Sequence, residues 1–575
     1  MRASRFLALL LAAFLFASCD SFLDREPQDA VTPQTYFQSE QELETYVDGL
    51  YSYLPGESIY NDDFTSDNVV QKTPNQVVAG KHTVPQTGGG WTWDYLRDVN
   101  FLLANATSNG VPGAEANPYI GVARFFRAWF YFDMVKRFGD VPWYSQPLEP
   151  GDEGLYSARD SRTMVMDSVL ADLNFAVEHV PAEAPFGKID RGAALAFKAR
   201  VCLHEGTFRT YHGMDGAQQW LEAAAGAARE VIDSGEFSLY STGNPEEDYK
   251  QLFIMEDASQ EEVILPQIYS RALEKTHSAN YTFLSTTYGN PGYTESFVDT
   301  YLNADGTPFS SRPGYDTLSF YSETQNRDPR LAQTFRTPGY TRINRSETLV
   351  PNFDNARSGY QNIKFVMSPT YDGFGANVND LPILRYAETL LIYAEARAEL
   401  GELTQEDLNL SINRLRERVG MPPMQLENLP NDPLLQERYP DVSATQPTAI
   451  REIRRERRVE LAMEGFRYDD LMRWEAGPLM AEQFVGMYFD ETGVHDIVHD
   501  GNPDVAVVES MPSETQSGVQ YLTLDEVVGL TGGTQGDIVP HPDLEKTFTA
   551  PKHYYYPIPT AQLTLNENLE QNPGW

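Results

Sequence analysis

Between residues 96 and 231, apolar side chains return at steps of three and four in one segment after another. Leu96, Val99, Leu103 and Ala106 form one stripe, and Phe125, Ala128, Phe132 and Val135 form a second. Val165, Val169, Leu173 and Ala176 follow, closing before Pro181. Ala194, Phe197 and Val201 run beside a parallel row of Ala196, Ala199 and Leu203. Trp220, Ala224, Ala227 and Val231 complete the series, with Gly235 as the stop. A period near 3.6 puts each set on one face of a helix, and that face has to be buried against a neighbour. A half-buried strand would need a period of two, so this stretch predicts stacked amphipathic helices. Alanines opposite large rings let helix axes approach closely. The packing logic is that of tetratricopeptide-like helix pairs, without a clean repeat of about 34 residues. The fold class is therefore mainly α.

The stretch from about 238 to 381 is rich in Gly, Pro, Asn, Thr and Tyr, with β-prone pieces such as 262–267. It reads as loops and short strands laid over the helices. Helix is expected again at 383–400. Two apolar rows there, Leu384/Ala387/Leu391/Ala394 and Ile383/Tyr386/Leu390/Tyr393, imply burial on both sides, and Gly401 closes the run. Further helices are expected at 408–419 and 450–474. From 477 to 540 the chain turns acidic and loop-like, with 529–536 the least structured part. The division is an N-terminal helical region over 36–237 and a C-terminal region over 238–575 carrying that insertion.

Arg2 and Arg5 precede an apolar run over 6–16, after which Ala17 and Ser18 lead into Cys19. A charged start, a short apolar core and small residues before a cut site are the marks of a secretory signal. Eleven apolar residues are too few to cross a hydrocarbon layer of roughly 30 Å as a helix. The cysteine after the small pair makes 1–18 resemble a bacterial lipoprotein signal, with Cys19 as the lipidated first residue. Phe16 stands where Leu is usual. Residues 19–35, polar and carrying Pro27 and Pro33, read as a tether. Cys202 is the only other cysteine. An internal disulfide or a cysteine-based zinc site is then ruled out, and Cys202 reads as a small buried hydrophobe.

The chain carries 44 Lys+Arg against 83 Asp+Glu, a net charge of −39. Such a field repels phosphate backbones, which argues against nucleic acid as ligand. It is indifferent to a neutral, hydroxyl-rich ligand, and it attracts basic peptides. The Arg-rich run at 451–458 is interleaved with Glu452, Glu456 and Glu460, so the helix is expected to compensate itself through pairs three and four residues apart, with guanidiniums bonded to carboxylates and loop carbonyls inside the scaffold. His495 and His499 stand four apart, but Gly493, Gly501 and Pro503 around them are poor helix context for a zinc-protease pair. No nucleophile elbow, phosphate loop or dinucleotide fingerprint occurs. No catalytic residue, metal or cofactor is nominated.

Several segments together resemble one family. After Cys19 come FLDREPQ at 22–28 and TYF at 35–37, then WDYLRDVNFLLANA at 93–106 and ARFFRAWFYFDMVKRFGDVPW at 123–143. NRDPRL at 326–331, LPILRYAETLLIYAEARAELG at 381–401 and RRERRVELAMEGFRYDDLMRW at 454–474 follow, and YYYPIPTAQLTLNENLEQNPGW ends the chain. In this order they resemble the SusD/RagB family of outer-membrane nutrient-binding lipoproteins. The resemblance implies a helical body with tetratricopeptide-like units overlaid by loops. It also implies a lipid-anchored protein exposed on the outer membrane, a SusC-like TonB-dependent transporter as partner, and no catalysis. Ligands of the family are often oligosaccharides, and some members resemble peptide capturers.

Sugar rings pack their C–H faces on aromatic rings while their hydroxyls bond to carboxylates, amides and Arg. Trp91 and Trp93, directly after the glycines at 88–90, are candidates on that ground, with Asp67 and Asn68 in the preceding loop. Tyr281, Tyr288 and Tyr293, in a second polar, Gly-bearing segment, are candidates for the opposing wall. The competing expectation is that these aromatics are core or covering residues. Oligosaccharide capture is the leading expectation, capture of peptides or another nutrient the second, and a hydrolase the third.

Overall fold

The computed structural model describes residues 36–575 apart from 444 and 526. The expected signal at 1–18, the lipidation of Cys19 and the tether at 19–35 lie outside the described residues. Helix α1 (Glu40–Leu50) starts at Ser39, whose hydroxyl accepts the Glu42 backbone N–H at 3.4 Å. Next come α2 (Asp94–Asn105) and α3 (Gly113–Phe138). Helix α4 (Arg162–His179) is capped by Ser161, and α5 (Arg191–Tyr211) by Asp190, whose carboxylate accepts the Ala193 N–H at 2.8 Å. Helix α6 (Ala217–Ser234) ends at Gly235 in the left-handed region, φ 68°, where a side chain would be strained.

The stripes read from the sequence are the packing faces. Helix α3 lies along α4 and α5 along α6, each with its successor in the chain. Trp129 of α3 stacks on Phe197 of α5 at 4.3 Å, and Phe125 and Phe132 close around the same ring. A Cβ on Gly206 would stand 2.9 Å from Leu221, so α5 and α6 touch where no side chain intervenes. Cys202 is fully buried there, and burial pushes its thiol up to about 12. Helix α7 (Tyr386–Glu399) packs on α6, α5 and α8 (Pro447–Glu460), and α9 (Arg467–Arg473) packs on α5.

Short strands dress this body. β1 (Val69–Val70), β3 (Gly292–Tyr293) and β4 (Tyr360–Gln361) make an antiparallel trio. β2 (Val263–Gln267), within the β-prone piece expected from the sequence, pairs with β5 (Leu381–Arg385). β6 (Tyr488–Phe489) joins the hairpin of β10 (Val528–Leu530) and β11 (Gly536–Pro540). β7 (Gly493–His495) pairs with β8 (Val505–Val508), which runs parallel to β9 (Gln520–Thr523).

Four expectations are corrected. The helix expected from 383 begins at Tyr386, because Leu381–Arg385, with Pro382 inside it, is taken up by β2 as a strand. The helix expected at 408–419 is two short helices broken at Ser411. The helix expected at 450–474 divides after Glu460. Met463 and Gly465 there adopt positive φ of 60° and 78°, and a Cβ on Gly465 would meet the Ile59 carbonyl at 2.9 Å. The region at 477–540 is built of strands, not loop alone. Val505, Val507, Leu522, Val528, Leu530 and Ile538 are buried, an apolar signal too brief to stand out in an acidic stretch.

The 451–458 run is internal, as read. Its partners are mostly distant in sequence instead of one helical turn away. Glu460 binds Arg385 at 2.9 Å, Arg418 at 2.7 Å and Arg330 at 3.2 Å, while Glu456 binds Arg330 at 3.0 Å and Arg416 at 2.6 Å. Arg457 pairs with Asp470 at 2.8 Å, and Arg455 with Glu452 is the in-turn pair at 3.2 Å. Buried ions survive only when paired and hydrogen-bonded this fully.

Candidate functional site

Tyr281 sits on the short helix Ala279–Leu284, Tyr288 on the loop that follows, and Phe374 on the loop after Pro369–Tyr371. The three rings meet at the surface. Tyr281 and Tyr288 are 5.7 Å apart between ring centres, and Phe374 stands perpendicular to Tyr281 at 5.5 Å. Tyr288 is 43% exposed and Phe374 73%, values at odds with a covering role, since ring faces of this size are ordinarily buried.

The segments carrying the rings are lashed together from below. His277 and Asn377 exchange backbone hydrogen bonds of 3.0 Å. Buried Asn280 donates to Asp372 at 2.8 Å and to the Met367 carbonyl at 3.2 Å, and its carbonyl oxygen accepts from Asn377 Nδ2 at 2.9 Å. The loop bearing Tyr288 is clamped by Asn290, which donates to the carbonyls of Ser285 at 3.0 Å and Asp354 at 2.7 Å. Arg342 and Asp372, paired at 2.7 Å, form a charged rim. The hydroxyls of Thr287 and Ser285 pull the Tyr281 hydroxyl below the ordinary phenol value. The result is a set of fixed ring faces edged by hydroxyl, carboxylate and guanidinium groups. That is the surface a pyranose ring needs: apolar faces for its C–H groups and rim groups for its hydroxyls.

The other five nominated residues are corrected as surface groups. Asp67 lies inside, held by Arg467 at 2.6 Å, Arg438 at 2.7 Å and Arg458 at 3.4 Å. Burial alone would raise its carboxyl, but the three guanidiniums hold it well below the usual carboxylate range. Asn68 is buried beside it and accepts from Arg458 Nε at 2.8 Å. Trp91 is 6% exposed and packs edge-on to Trp93 at 5.5 Å and to Phe138 at 4.9 Å. Trp93, half-buried at the start of α2, packs on Phe130 and Tyr144, which is the core-anchor alternative. Tyr293 is fully buried, stacked on Phe297 at 4.5 Å, with its hydroxyl donating to Asn362 at 2.7 Å. Phe374 was missed, although an aromatic between two glycines in a polar loop carries the same signal as Tyr288.

A cavity of about 580 Å³ lies between α3, α5, the 464–466 turn and α9. Lys136 is tied there to Asp469 at 2.7 Å and Asp133 at 3.3 Å, so its charges largely satisfy one another. His495 and His499 do not form a helical pair: His495 is in β7, and His499 stacks on Tyr321 at 4.3 Å.

Residues 254–575 match a family model described as the SusD family, and residues 21–203 match one described as starch-binding associating with outer membrane. A SusD-like protein of Formosa agariphila, P38, is 23% identical over 502 residues, covering 81% of this chain and 90% of that one. Another from the same organism, P25, is 26% identical over 285 residues, 44% of this chain; the match spans about half (51%) of that relative's length. Among solved structures, a SusD-like carbohydrate binding protein of Bacteroides fragilis superposes with a TM-score of 0.70 at 23% identity, over 93% of this chain and 100% of that one. A SusD superfamily protein of Parabacteroides distasonis gives 0.60 at 17% identity, over 93% and 99%. At such identities the superpositions speak to the fold, a mainly helical body with tetratricopeptide-like character.

Proposed function

The chain belongs to the SusD family, and from that membership we propose that it is a lipid-anchored, surface-exposed protein of the outer membrane that captures oligosaccharide. The bound glycan passes to a SusC-like TonB-dependent transporter. The anchor is Cys19, after removal of 1–18. Two acyl chains or more, at about 0.8 kcal/mol per buried CH₂, hold a protein of this size stably on a membrane. The family description naming starch and the outer membrane supports the reading, as does the Bacteroides fragilis relative described as carbohydrate binding. We assign no catalytic step, metal or cofactor.

The observation that carries the proposal is the surface group of half-buried Tyr281 with exposed Tyr288 and Phe374, on segments braced from beneath. Ring faces kept in water cost free energy unless something covers them, and a sugar ring fits their spacing. Tyr288→Ala and Phe374→Ala are each expected to weaken retention on polysaccharide affinity gels roughly tenfold, about 1.4 kcal/mol. The thermal midpoint should stay put, because neither ring supports the core. Undiminished retention by both variants would refute the assignment of the platform. Retention of cationic peptides, with none of any polysaccharide, would refute the glycan reading itself.

A further inference from the structure

Bases are scarce in this chain, 44 Lys+Arg against 83 Asp+Glu, and the guanidiniums of the core are matched by carboxylates, as around Glu460 and Asp67. One basic cluster is not matched in this way. Lys250 stands on the short helix Asp248–Gln251, and Arg336 follows the helix Arg330–Thr334. The Gln333 side chain ties the two segments together by accepting the Lys250 backbone N–H at 3.0 Å. Both cations lie against the ring of Tyr340, Lys250 Nζ 5.0 Å from its centre and the Arg336 guanidinium 5.3 Å. Arg342, two residues further on, sits in a turn closed by the Thr341–Thr348 bridge and by Leu349 N–H donating to the Tyr340 carbonyl at 2.9 Å.

Little answers these charges. Among the described residues Lys250 Nζ donates no hydrogen bond, and neither Lys250 nor Arg336 has an ion pair. Arg336 is 7% exposed; its Nη1 donates to the Val350 carbonyl at 2.6 Å, and its Nε is buried without a partner. Arg342 alone holds a carboxylate, Asp372 at 2.7 Å, and its Nε is likewise buried without a partner. Glu247, at the head of the Lys250 helix, is exposed and accepts instead from Asn244 at 3.1 Å. Burial, then Arg342, pulls the Lys250 ammonium down to about 8, which leaves it mostly charged at neutral pH. Three cations around one ring, with a single carboxylate among them, repel one another until an anion joins them.

The cluster adjoins the aromatic platform. Arg342 Nη2 donates to Asp372 and to the Met367 carbonyl, the same two residues that Asn280 binds, and Asn280 directly precedes Tyr281. A sugar ring lying on Tyr281 and Phe374 therefore has cationic side chains beside it. An ammonium with unspent donors suits the oxygens of a carboxylate or a sulfate equally. The acidic surface of the chain repels anions at a distance, but at about 0.15 M salt charges act over only about 8 Å, so the adjacent cluster decides.

We propose that Lys250, Arg336 and Arg342 around Tyr340 receive an anionic substituent, a carboxylate or a sulfate ester, carried by the glycan that the platform holds. The inference rests on the glycan reading and adds to it the charge class of the ligand. The experiment is retention of the full chain, at about 0.15 M salt, on affinity gels that hold paired polymers. The pairs are alginate and carboxyl-reduced alginate, galacturonan and its methyl ester, and dextran sulfate and dextran. In at least one pair the charged member should retain the protein roughly tenfold more strongly than its neutral partner. Which pair responds tells carboxylate from sulfate. Lys250→Gln should cut that ratio about tenfold, and Lys250→Arg should keep it. The thermal midpoint of Lys250→Gln should hold or rise, since one of three crowded like charges has gone, and that establishes that the variant folds. Retention on neutral polysaccharides only, or equal retention within every pair, would overturn this inference and leave the glycan reading standing. A charge preference that survives undiminished in Lys250→Gln would overturn it as well. Retention on no polysaccharide at all would sink both.

Discussion

At the scale of single residues, the same side-chain type takes opposite roles according to what surrounds it. Asp67 and Asp63 are four apart in the sequence and both are buried. Three guanidiniums keep Asp67 ionised, whereas burial pushes Asp63 up to about 7, and neither of its carboxylate oxygens has a side-chain partner. The consequences for stability have opposite signs. Asp67 is depressed, so its contribution is present above the unfolded value and lost as the pH falls into the acid range. Asp63 is raised, so the folded state holds an extra proton, and its contribution is lost as the pH climbs through about 7. Asp62, raised by burial and then by Asp469 to about 6, acts in the same direction. These two groups should therefore take stability away between about pH 4 and about pH 7, with Asp63 alone accounting for about 4 kcal/mol. Thermal melts of Asp63→Asn across that range should show a flatter decline than the unmodified chain. An identical decline in the two would contradict the assignment. Among the nominated residues, the placement of Tyr281 and Tyr288 outside the core was legible because a large ring in a polar, Gly-bearing segment has little core to enter. Asp67 and Asn68 were not, since their partners Arg438, Arg458 and Arg467 lie 371 to 400 residues away in the chain.

At the scale of elements, what could be read was what repeats. Helices α3 to α6 announce themselves because each buries a continuous face over four or more turns, and the cap residues Ser161, Asp190 and Gly235 mark their ends. The failures are short or interrupted. Leu381–Arg385 has apolar residues at helical spacing by chance, and only its pairing with Val263–Gln267 makes it a strand. The 450–474 segment keeps one periodicity across two helices, so the turn at Met463 and Gly465 was hidden even though its glycine is required. Helix α8 is the extreme case. Apart from Arg451, its charged residues are as buried as its apolar ones, because Glu456 and Glu460 reach guanidiniums on other segments that no local pattern predicts. The aromatic platform belongs here as well: two loops that are unremarkable separately become one surface through Asn280 and Asn377.

At the scale of the whole molecule, the charge separates into an inside and an outside. Arginines are drawn into the body as partners for most of the buried acids, while most of the carboxylates behind the net charge of −39 lie outside the core. A neutral glycan feels little of that outer field, and an amine is drawn to it. Anchoring is the other whole-molecule property, and in the proposed function it rests on one atom, the Cys19 sulfur. Cys19→Ser should leave the fold intact and shift the protein from the outer-membrane fraction to a soluble one, with loss of radiolabelled palmitate. A variant that remained membrane-bound and labelled would show the anchor to lie elsewhere.

The most direct measurement is a crystal structure of the protein soaked with an oligosaccharide selected on affinity gels. Sugar rings lying across Tyr281, Tyr288 and Phe374, with hydroxyls bonded to the Arg342–Asp372 rim, are the predicted result. A glycan seated on another face, with those three rings still bare to solvent, would contradict the account.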